Sequence, residues 1–246
     1  MIHNGYEVWL CDHHGKRFSE YGITILDGQK EAVCYVASEA GAQFKIQWKD
    51  HNGVHPSGMR CLIDGFPAGL SICMPNGRGQ RVGEFVSEES VKPYAFDHTL
   101  TTATEDHRLS NLAAPLENIG TIEVRVIPVH VRDKHVPFKP SIFAGIGPWV
   151  VSERSKRVGV HCVRLGNATK GRCQQREITA LNPRAGPLVT FIFRYEPPAV
   201  LLARGMISSS AINDAASSAA GLAVVDEPHG VGSPRSGKCK VKTEGD

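Results

Sequence analysis

The sequence predicts an all-β fold, a single antiparallel β-sandwich of roughly nine to eleven strands with one short C-terminal helix and a disordered tail. Glycine and proline account for 25 and 15 of the 246 residues, and their frequent recurrence favours short strands joined by turns. Several apolar runs alternate with polar residues at a period of two, as half-buried antiparallel strands do. Strands do not alternate with helical segments, which argues against a parallel, doubly wound sheet.

The first part of the chain contains seven predicted strands, at residues 6–10, 21–26, 31–37, 43–49, 59–63, 70–74 and 94–100. The segment 43–49 shows the clearest alternation. Its apolar residues Phe44, Ile46 and Trp48 fall on one face, and the polar residues between them fall on the other. This pattern is typical of a strand with one face on a core and one face in water.

Short turn motifs separate several of these strands. Asp27-Gly28 favours the left-handed backbone of a tight turn, so the strands at 21–26 and 31–37 are expected to form a hairpin. Asp64-Gly65 predicts a turn after the strand at 59–63. Residues 101–119 carry few strand signals and several charges, and we expect a long loop there.

The strongest strand pattern of the chain lies at residues 120–132. Ile122, Val124 and Val126 alternate with charged residues, but the apolar positions change parity after Pro128. Because proline cannot donate a ladder hydrogen bond, we expect a bulge or a sheet edge at this residue.

Three further strands are predicted at residues 158–165, 177–181 and 188–195. A helix at residues 199–204 follows Pro197-Pro198, and Gly205 supplies the left-handed residue that commonly ends a helix. After residue 207 the chain is rich in Ser, Ala, Gly and Lys and almost free of aromatic residues. The sequence therefore predicts a sandwich domain at residues 1–207 and a disordered tail at residues 208–246.

The cysteine pattern favours a reducing, intracellular compartment, either cytoplasmic or nuclear. The seven cysteines are odd in number, scattered along the chain and without a Cys-x-x-Cys pair. Several lie within apolar strand patterns, where a thiol behaves as a small hydrophobe. The N-terminus lacks a secretory signal, and no stretch reaches the ~18 consecutive apolar residues of a membrane span, so no membrane partner is expected.

Charge is distributed unevenly along the chain, although the formal net charge is only +3. Residues 1–119 carry 10 Lys and Arg against 15 Asp and Glu, whereas residues 120–246 carry 18 against 10. Such asymmetry indicates either an anionic partner for the basic half or attraction between the two halves of one sandwich.

Several stretches together resemble one protein family: Cys34-Tyr-Val-Ala-Ser-Glu-Ala-Gly41 with Phe44 and Trp48, Gly120-Thr-Ile-Glu-Val, Glu153-Arg-Ser-Lys-Arg-Val-Gly-Val-His161 with Gly166, and Phe193-Arg-Tyr195 before Leu201 and Gly205. In order and spacing, over residues 6–207, they resemble an uncharacterised β-rich domain of fungal, mainly mushroom-type, proteins, a domain of unknown function. The resemblance implies one β-sandwich-like domain followed by a polar, often basic tail. It brings no reaction or ligand that can be assigned to residues here.

No catalytic, metal or cofactor motif is found in the sequence. His13-His14 and His161-Cys162 are neighbours in extended segments, so their side chains point to opposite faces and do not readily share a metal. No nucleophile elbow or zinc spacing occurs, and no metal or cofactor is predicted. If the domain were an enzyme, His161, Cys162 and His130 would be the first suspects.

One glycine-rich segment has the local look of an anion-binding nest. Gly77-Arg-Gly79 is followed by Arg81 and Gly83. It lacks the strand–turn–helix context and the lysine of a phosphate-binding loop, so an ordinary β-turn loop is predicted.

The candidate binding residues are a group of cations between residues 154 and 176. They are Arg154, Lys156, Arg157, Arg164, Lys170, Arg172 and Arg176. On one rim of a sandwich they could hold an acidic protein surface or a nucleic-acid backbone. The alternative is a solvated loop in which Arg154 and Lys156 pair with the acidic first half of the chain. Aromatic residues for base stacking are absent from this stretch, which counts against single-strand recognition.

Three function hypotheses follow from these observations. The absence of a catalytic signature favours a non-enzymatic, intracellular binding or interaction module of unknown ligand. The second hypothesis is a small-molecule enzyme or ligand carrier that uses the interior of the sandwich. The third is binding of nucleic acid or an acidic partner through the basic rim at residues 154–176.

Overall fold

The computed structural model describes residues 1–25, 28, 30–102, 118–140, 150–152, 161–173, 175–182 and 184–208. Within these ranges there are seventeen strands and one helix. In chain order they are β1 (Ile2–His3), β2 (Tyr6–Asp12), β3 (Tyr21–Ile25), β4 (Glu31–Ala37), β5 (Gln43–Asp50), β6 (Ser57–Ile63), β7 (Phe66–Cys73), β8 (Arg78–Arg81), β9 (Gly83–Ser87), β10 (Ser90–His98), β11 (Leu100–Thr102), β12 (Thr121–His135), β13 (Val150–Ser152), β14 (His161–Leu165), β15 (Thr169–Lys170), β16 (Arg176–Ala180), β17 (Val189–Glu196) and α1 (Pro198–Ala203). Among the described residues, no helix has the length and apolar character needed to cross a membrane.

Two large sheets make up the sandwich, and β11 and β13 form a separate two-stranded sheet. The first sheet has the strand order β1-β2-β5-β10-β14, with β8 beside β5 and both β9 and β15 beside β10. The second sheet has the order β3-β4-β17-β12-β6-β7, with β16 beside β12. The buried faces of the two sheets form one hydrophobic cluster, so the sheets pack as a sandwich and the predicted fold class is confirmed.

Aromatic side chains from both sheets fill the centre of this sandwich. The predicted alternation in β5 is confirmed, because Phe44, Ile46 and Trp48 are buried and the residues between them are not. The Phe44 ring stacks on Phe96 of β10 at 4.5 Å between centroids, and Phe96 lies 5.0 Å from the ring of Tyr195 in β17. The last contact joins the two sheets. Each such side chain contributes about 1.5–3 kcal/mol through removal of apolar surface from water.

The pairing of strands differs from the expected purely antiparallel arrangement in two places. β4 and β17 pair in parallel, from Glu31 opposite Thr190 to Ala37 opposite Glu196, and β11 pairs in parallel with β13. The structure also contains more strands than expected, because short segments such as β8 and β15 extend the first sheet. These segments are too short and too polar to show alternation in the sequence. The predicted hairpin of β3 and β4 is confirmed.

Pro128 lies where β12 changes its neighbour. On one side β12 pairs with β17 as far as Val126, and with β16 from Val129 onward. Both valines are buried, so the predicted change of parity is confirmed. On the other side the ladder to β6 continues through Pro128, which lies opposite Ser57. A residue without an N–H group fits at the point where one ladder ends and the next has not begun.

The C-terminal helix α1 is confirmed, with Pro198 in its first turn and Leu201 buried. Gly205 follows it with φ of +70°, the left-handed conformation expected of a glycine stop. The predicted disordered tail beyond Ser208, and most of the loop expected at residues 101–119, lie outside the described residues.

A buried carboxylate, Asp64, ties the two sheets together. Asp64 lies in the predicted turn between β6 and β7 with φ of 52°, and only 2% of the residue is exposed. One carboxylate oxygen accepts hydrogen bonds from the Gly120 N–H at 2.9 Å and from the Tyr195 hydroxyl, and the other accepts from the Val163 N–H at 3.0 Å. Tyr195 lies in β17 of the second sheet, and Gly120 directly precedes β12 of the same sheet. Val163 lies in β14 of the first sheet, so one side chain bridges both layers.

We predict that removal of this carboxylate destabilises the fold strongly. Asp64→Gly keeps the left-handed backbone but leaves three buried donors without an acceptor, each costing about 1–3 kcal/mol. We therefore expect the free energy of unfolding, measured with urea at neutral pH, to fall by at least about 3 kcal/mol. Asp64→Asn retains one acceptor oxygen and should lose less. Equal losses in the two variants would contradict a contribution from the retained oxygen.

The same residue makes stability depend on pH. Burial raises the pKa of Asp64 from 3.8 to about 6, although its hydrogen bonds to Tyr195, Val163 and Gly120 act in the opposite direction. Because the folded state then binds the proton more tightly than the unfolded chain, this contribution is fully present below about pH 4 and is lost as pH rises through 6. Relative to Asp64→Asn, the wild type should lose up to about 3 kcal/mol between these limits. Parallel pH profiles for the two proteins would contradict this assignment.

Candidate functional site

A cleft of about 860 Å³ opens at one side of the sandwich. Residues of β7 and β16 from the second sheet line it, together with residues of β8, β9 and β10 from the first sheet. Its apolar lining includes Leu70 and Ile72 of β7, Phe85 of β9 and Ile178 of β16, which are all half-buried. The cleft therefore presents apolar surface from both layers to solvent.

Four cations line the same cleft. They are Lys139, Lys170, Arg172 and Arg176, and all four are exposed. Among the described residues, none of the four forms an ion pair with a carboxylate. Within the described part of the chain, no carboxylate therefore neutralises these four charges at ion-pair distance.

The chain crosses from the first sheet to the second between Lys170 and Arg176, and backbone hydrogen bonds fix the start of this crossing. The Gly171 N–H donates to the Glu89 carbonyl at 3.0 Å, and the Cys173 N–H donates to the Glu88 carbonyl at 2.8 Å. Gly171 packs so closely that a Cβ there would lie 2.7 Å from Val91 Cγ1. A glycine is needed at this position for the crossing to approach the first sheet.

The other end of the crossing holds Lys139 in place. The Val136 N–H donates to the Gln175 carbonyl at 3.2 Å. The side-chain amide of Gln175 bonds the backbone of Lys139 twice, through the Lys139 N–H at 3.2 Å and the Lys139 carbonyl at 3.1 Å. Lys139 therefore lies beside the segment that carries the other three cations, although it is distant from them in sequence.

The remaining charged residues that line the cleft, Arg81 and Glu84, form a buried triad with Tyr94 of β10. The Arg81 Nη2 donates to both carboxylate oxygens of Glu84 at 3.0 Å, and its Nε donates to the Tyr94 hydroxyl at 2.9 Å. The Tyr94 hydroxyl donates in turn to Glu84. Glu84 and Tyr94 are 2% and 0% exposed. Burial, acting with Glu84, raises the pKa of Tyr94 well above its ordinary value, so its hydroxyl stays protonated.

Gly69 allows the Arg81 guanidinium to lie against the backbone of β7. Its φ is +87°, and a Cβ at this position would lie 2.5 Å from Arg81 Nη2. Because Glu84 offsets the charge of Arg81, the triad contributes no net charge to the cleft. The positive character of the cleft therefore comes from the four exposed cations.

The predicted basic group is divided by the structure. Lys170, Arg172 and Arg176 lie in the cleft, whereas Arg164 lies on β14 and pairs with Asp97 of β10 at 2.9 Å. Arg164 thus pairs with the acidic first half of the chain, a role that the sequence had suggested for Arg154 and Lys156. Arg154, Lys156 and Arg157 lie outside the described residues.

The three residues suspected of catalysis are not brought together. His161 and Cys162 are buried on β14 in the first sheet, and His130 is exposed on β12 in the second. The Nδ1 of His161 is 2.8 Å from the Ser38 hydroxyl, but Ser38 is 0% exposed and so lies away from solvent. Burial, followed by the neighbouring ring of His98, lowers the pKa of His161. Burial and a neutral ring favour a structural hydrogen bond for this pair.

The glycine-rich segment at Gly77 is a turn, as predicted. The Gly77 N–H donates to the Met74 carbonyl at 2.8 Å, and the Asn76 N–H donates to Asp50 Oδ2 at 3.2 Å. These N–H groups already have acceptors within the chain, so they do not form an open anion nest. Gly79 lies in β8 against the Trp48 indole, where a Cβ would be 2.5 Å from Nε1.

Sequence reasoning missed two parts of the cleft, Lys139 and the triad. Lys139 lies in an irregular segment without a motif, and only its hydrogen bonds to Gln175 place it at the site. A charged residue three positions from an opposite charge, as Arg81 is from Glu84, is a common surface pattern and carries no signal of burial.

The triad yields a prediction about buried charge. Glu84→Gln leaves the buried Arg81 guanidinium without its counter-charge and should lower the free energy of unfolding by about 3–5 kcal/mol, whereas Tyr94→Phe should cost about 1 kcal/mol. The double variant Arg81→Met/Glu84→Gln removes both charges, and we expect it to be more stable than Glu84→Gln alone. Urea unfolding measures all three. A double variant that is less stable than Glu84→Gln would contradict the pairing.

Comparison with known proteins identifies the family. No curated protein and no solved structure matches the chain. The model of one family, described as a domain of unknown function (DUF7918), matches residues 11–210. This span includes all of the strands that line the cleft. The chain belongs to the DUF7918 family of domains of unknown function.

Proposed function

We propose that this domain is a non-enzymatic binding module that holds an anionic partner at the basic cleft. The observation that carries the proposal is the convergence of Lys139, Lys170, Arg172 and Arg176 on one cleft, without an ion pair to any described carboxylate. Elsewhere in the described chain, cations such as Arg17, Arg132 and Arg164 have carboxylate partners.

The origin of the four cations supports this proposal. Lys170 is the last residue of β15 in the first sheet, and Arg176 is the first residue of β16 in the second sheet. Like charges that face one cleft from two layers repel each other, and the repulsion is relieved when an anion lies between them. Exposed cations also attract an anionic partner over a distance of about one Debye length, ~8 Å at physiological salt.

The polar groups below the cations favour binding over catalysis. Both carboxylate oxygens of Glu84 accept hydrogen bonds from Arg81, and one also accepts from Tyr94. A carboxylate so engaged is poorly placed to accept a substrate proton. Burial raises the pKa of Cys173, the cysteine that lines the cleft, so the weakly nucleophilic thiol form is favoured.

The same features make the second hypothesis, an enzyme or carrier that uses the sandwich interior, the weaker one. Side chains of both sheets contact each other across the interior as one cluster. The cleft, at the side of the sandwich, is the better place for a ligand. Binding of nucleic acid, the third hypothesis, would use the same cations, and it is one outcome of the experiment below.

The proposal also concerns the setting of the domain. The described cysteines, Cys11, Cys34, Cys61, Cys73, Cys162 and Cys173, are all free thiols. This supports an intracellular, reducing compartment for the module. A fungal source, expected from the sequence resemblance, stays a prediction.

We expect the module to bind a polyanion in a salt-dependent manner. The probe is a fluorescently labelled heparin oligosaccharide, and the measurement is fluorescence anisotropy at about 50 and 200 mM salt. Replacing Lys170, Arg172 and Arg176 together with alanine should weaken binding at least about tenfold and reduce the salt dependence. No binding by the wild type at the lower salt concentration would overturn the proposal.

A matched variant separates the cleft from net charge. Lys30, Arg60 and Arg78 are exposed and do not line the cleft. Replacing these three with alanine removes the same charge, and binding should stay within about twofold of the wild type. Equal weakening in both triple variants would show attraction to net charge rather than to the cleft. An added duplex or single-stranded DNA arm tests the nucleic-acid hypothesis with the same two variants.

A further inference from the structure

We propose that the natural ligand of the cleft is a small anionic amphiphile, a molecule with a carboxylate or phosphate head group and an apolar body. This inference rests on the proposed anion-binding function and adds the ligand class. It depends on the combination of charged and apolar lining in a single cleft, and on the size of that cleft.

The apolar lining argues for a ligand with an apolar body. Leu70 and Ile72 of β7 and Ile178 of β16 form one wall, and Phe85 of β9 lines the side of the first sheet. All four are half-buried and face a solvent-filled space. Covering such surface is favourable by about 25 cal/mol per Å². A purely ionic ligand such as inorganic phosphate would leave this surface exposed.

The positions of the cations argue for a single head group. Lys170, Arg172 and Arg176 lie along the crossing segment, and Lys139 is joined to that segment through its backbone bonds with Gln175. Arginine binds carboxylate and phosphate with two parallel hydrogen bonds, so both head groups suit the pair of arginines. The buried triad has no net charge, so it does not attract an anionic head group away from the exposed cations.

The size of the cleft favours a small molecule over a macromolecule. Its volume of about 860 Å³ is within the usual range of roughly 300–1,000 Å³ for small-molecule sites. A stable protein partner buries about 800 Å² on each side and needs a broad apolar centre. Here the apolar surface lies inside a cleft with cations at its margin, where an extended or flat partner makes little contact with it.

The test compares amphiphiles with matched controls by isothermal titration calorimetry. The probes are decanoate, decyl phosphate, inorganic phosphate and uncharged decanol, all below their aggregation concentrations. We expect decanoate or decyl phosphate to bind at least about tenfold more tightly than inorganic phosphate and decanol, with the negative heat-capacity change of apolar burial. The stronger of the two identifies the head group.

Two variants locate the two ends of the ligand. Arg172→Gln/Arg176→Gln should weaken amphiphile binding about tenfold and leave decanol unchanged. Phe138→Asn, in the irregular segment that lines the cleft, should weaken the amphiphile several-fold and leave heparin binding unchanged. Arg60→Gln/Arg78→Gln is the matched control outside the cleft. Circular dichroism and thermal unfolding confirm that each variant is folded.

The outcomes distinguish the inference from the function on which it rests. Amphiphiles that bind no more tightly than inorganic phosphate, in a protein that still binds heparin through the cleft, would overturn the inference and leave anion binding intact. Decanol that binds as tightly as decanoate would also overturn it, because the head group would then be irrelevant. Failure of both amphiphiles and heparin to bind would overturn both proposals.

Discussion

The structure depends on one buried carboxylate. Asp64 accepts hydrogen bonds from Gly120, the residue before β12, and from β17 and β14, so one carboxylate fixes the relative position of the two sheets. Apolar packing alone tolerates small slips between layers, whereas a buried carboxylate does not, because each lost donor leaves an unpaired polar group. The cost of burying this charge is visible in its raised pKa. The same hydrogen bonds give the two sheets one defined alignment relative to each other.

The shape of the cleft depends on this alignment, because its walls belong to different sheets. β7 starts two residues after Asp64, and β10, which carries Tyr94, pairs directly with β14. The buried Arg81–Glu84 pair then fixes the floor of the cleft, while the cations above it are exposed. The site therefore combines a rigid, neutral floor with exposed cations. These cations give up little hydration when they bind an anion. This arrangement suits reversible binding, because the entropy cost of ordering the floor is already met when the domain folds.

Much of the fold could be predicted from local patterns, and much of the site could not. The change of apolar parity at Pro128 and the alternation in β5 report local geometry, and both were confirmed. The ladder from β12 to β6, however, continues through Pro128 without the bulge or edge expected there. Strand partners depend on distant residues, which is why the parallel pairing of β4 was missed. In the site, charge counting found Lys170 and its neighbours but also included Arg164, whose charge Asp97 offsets. Lys139 joins the cleft only through tertiary hydrogen bonds, for which sequence periodicity has no signal.

The parallel pairing of β4 with β17 has a consequence for the order of assembly. Thr190 lies opposite Glu31, 159 positions earlier, and β17 occupies the middle of the second sheet between β4 and β12. The second sheet therefore cannot close until the ribosome has released almost the whole domain. Until then the hairpin of β3 and β4 has an unpaired edge, the kind of surface that chaperones cover. High contact order of this kind makes folding slow, and β17, the last strand of the described residues, completes the centre of the second sheet.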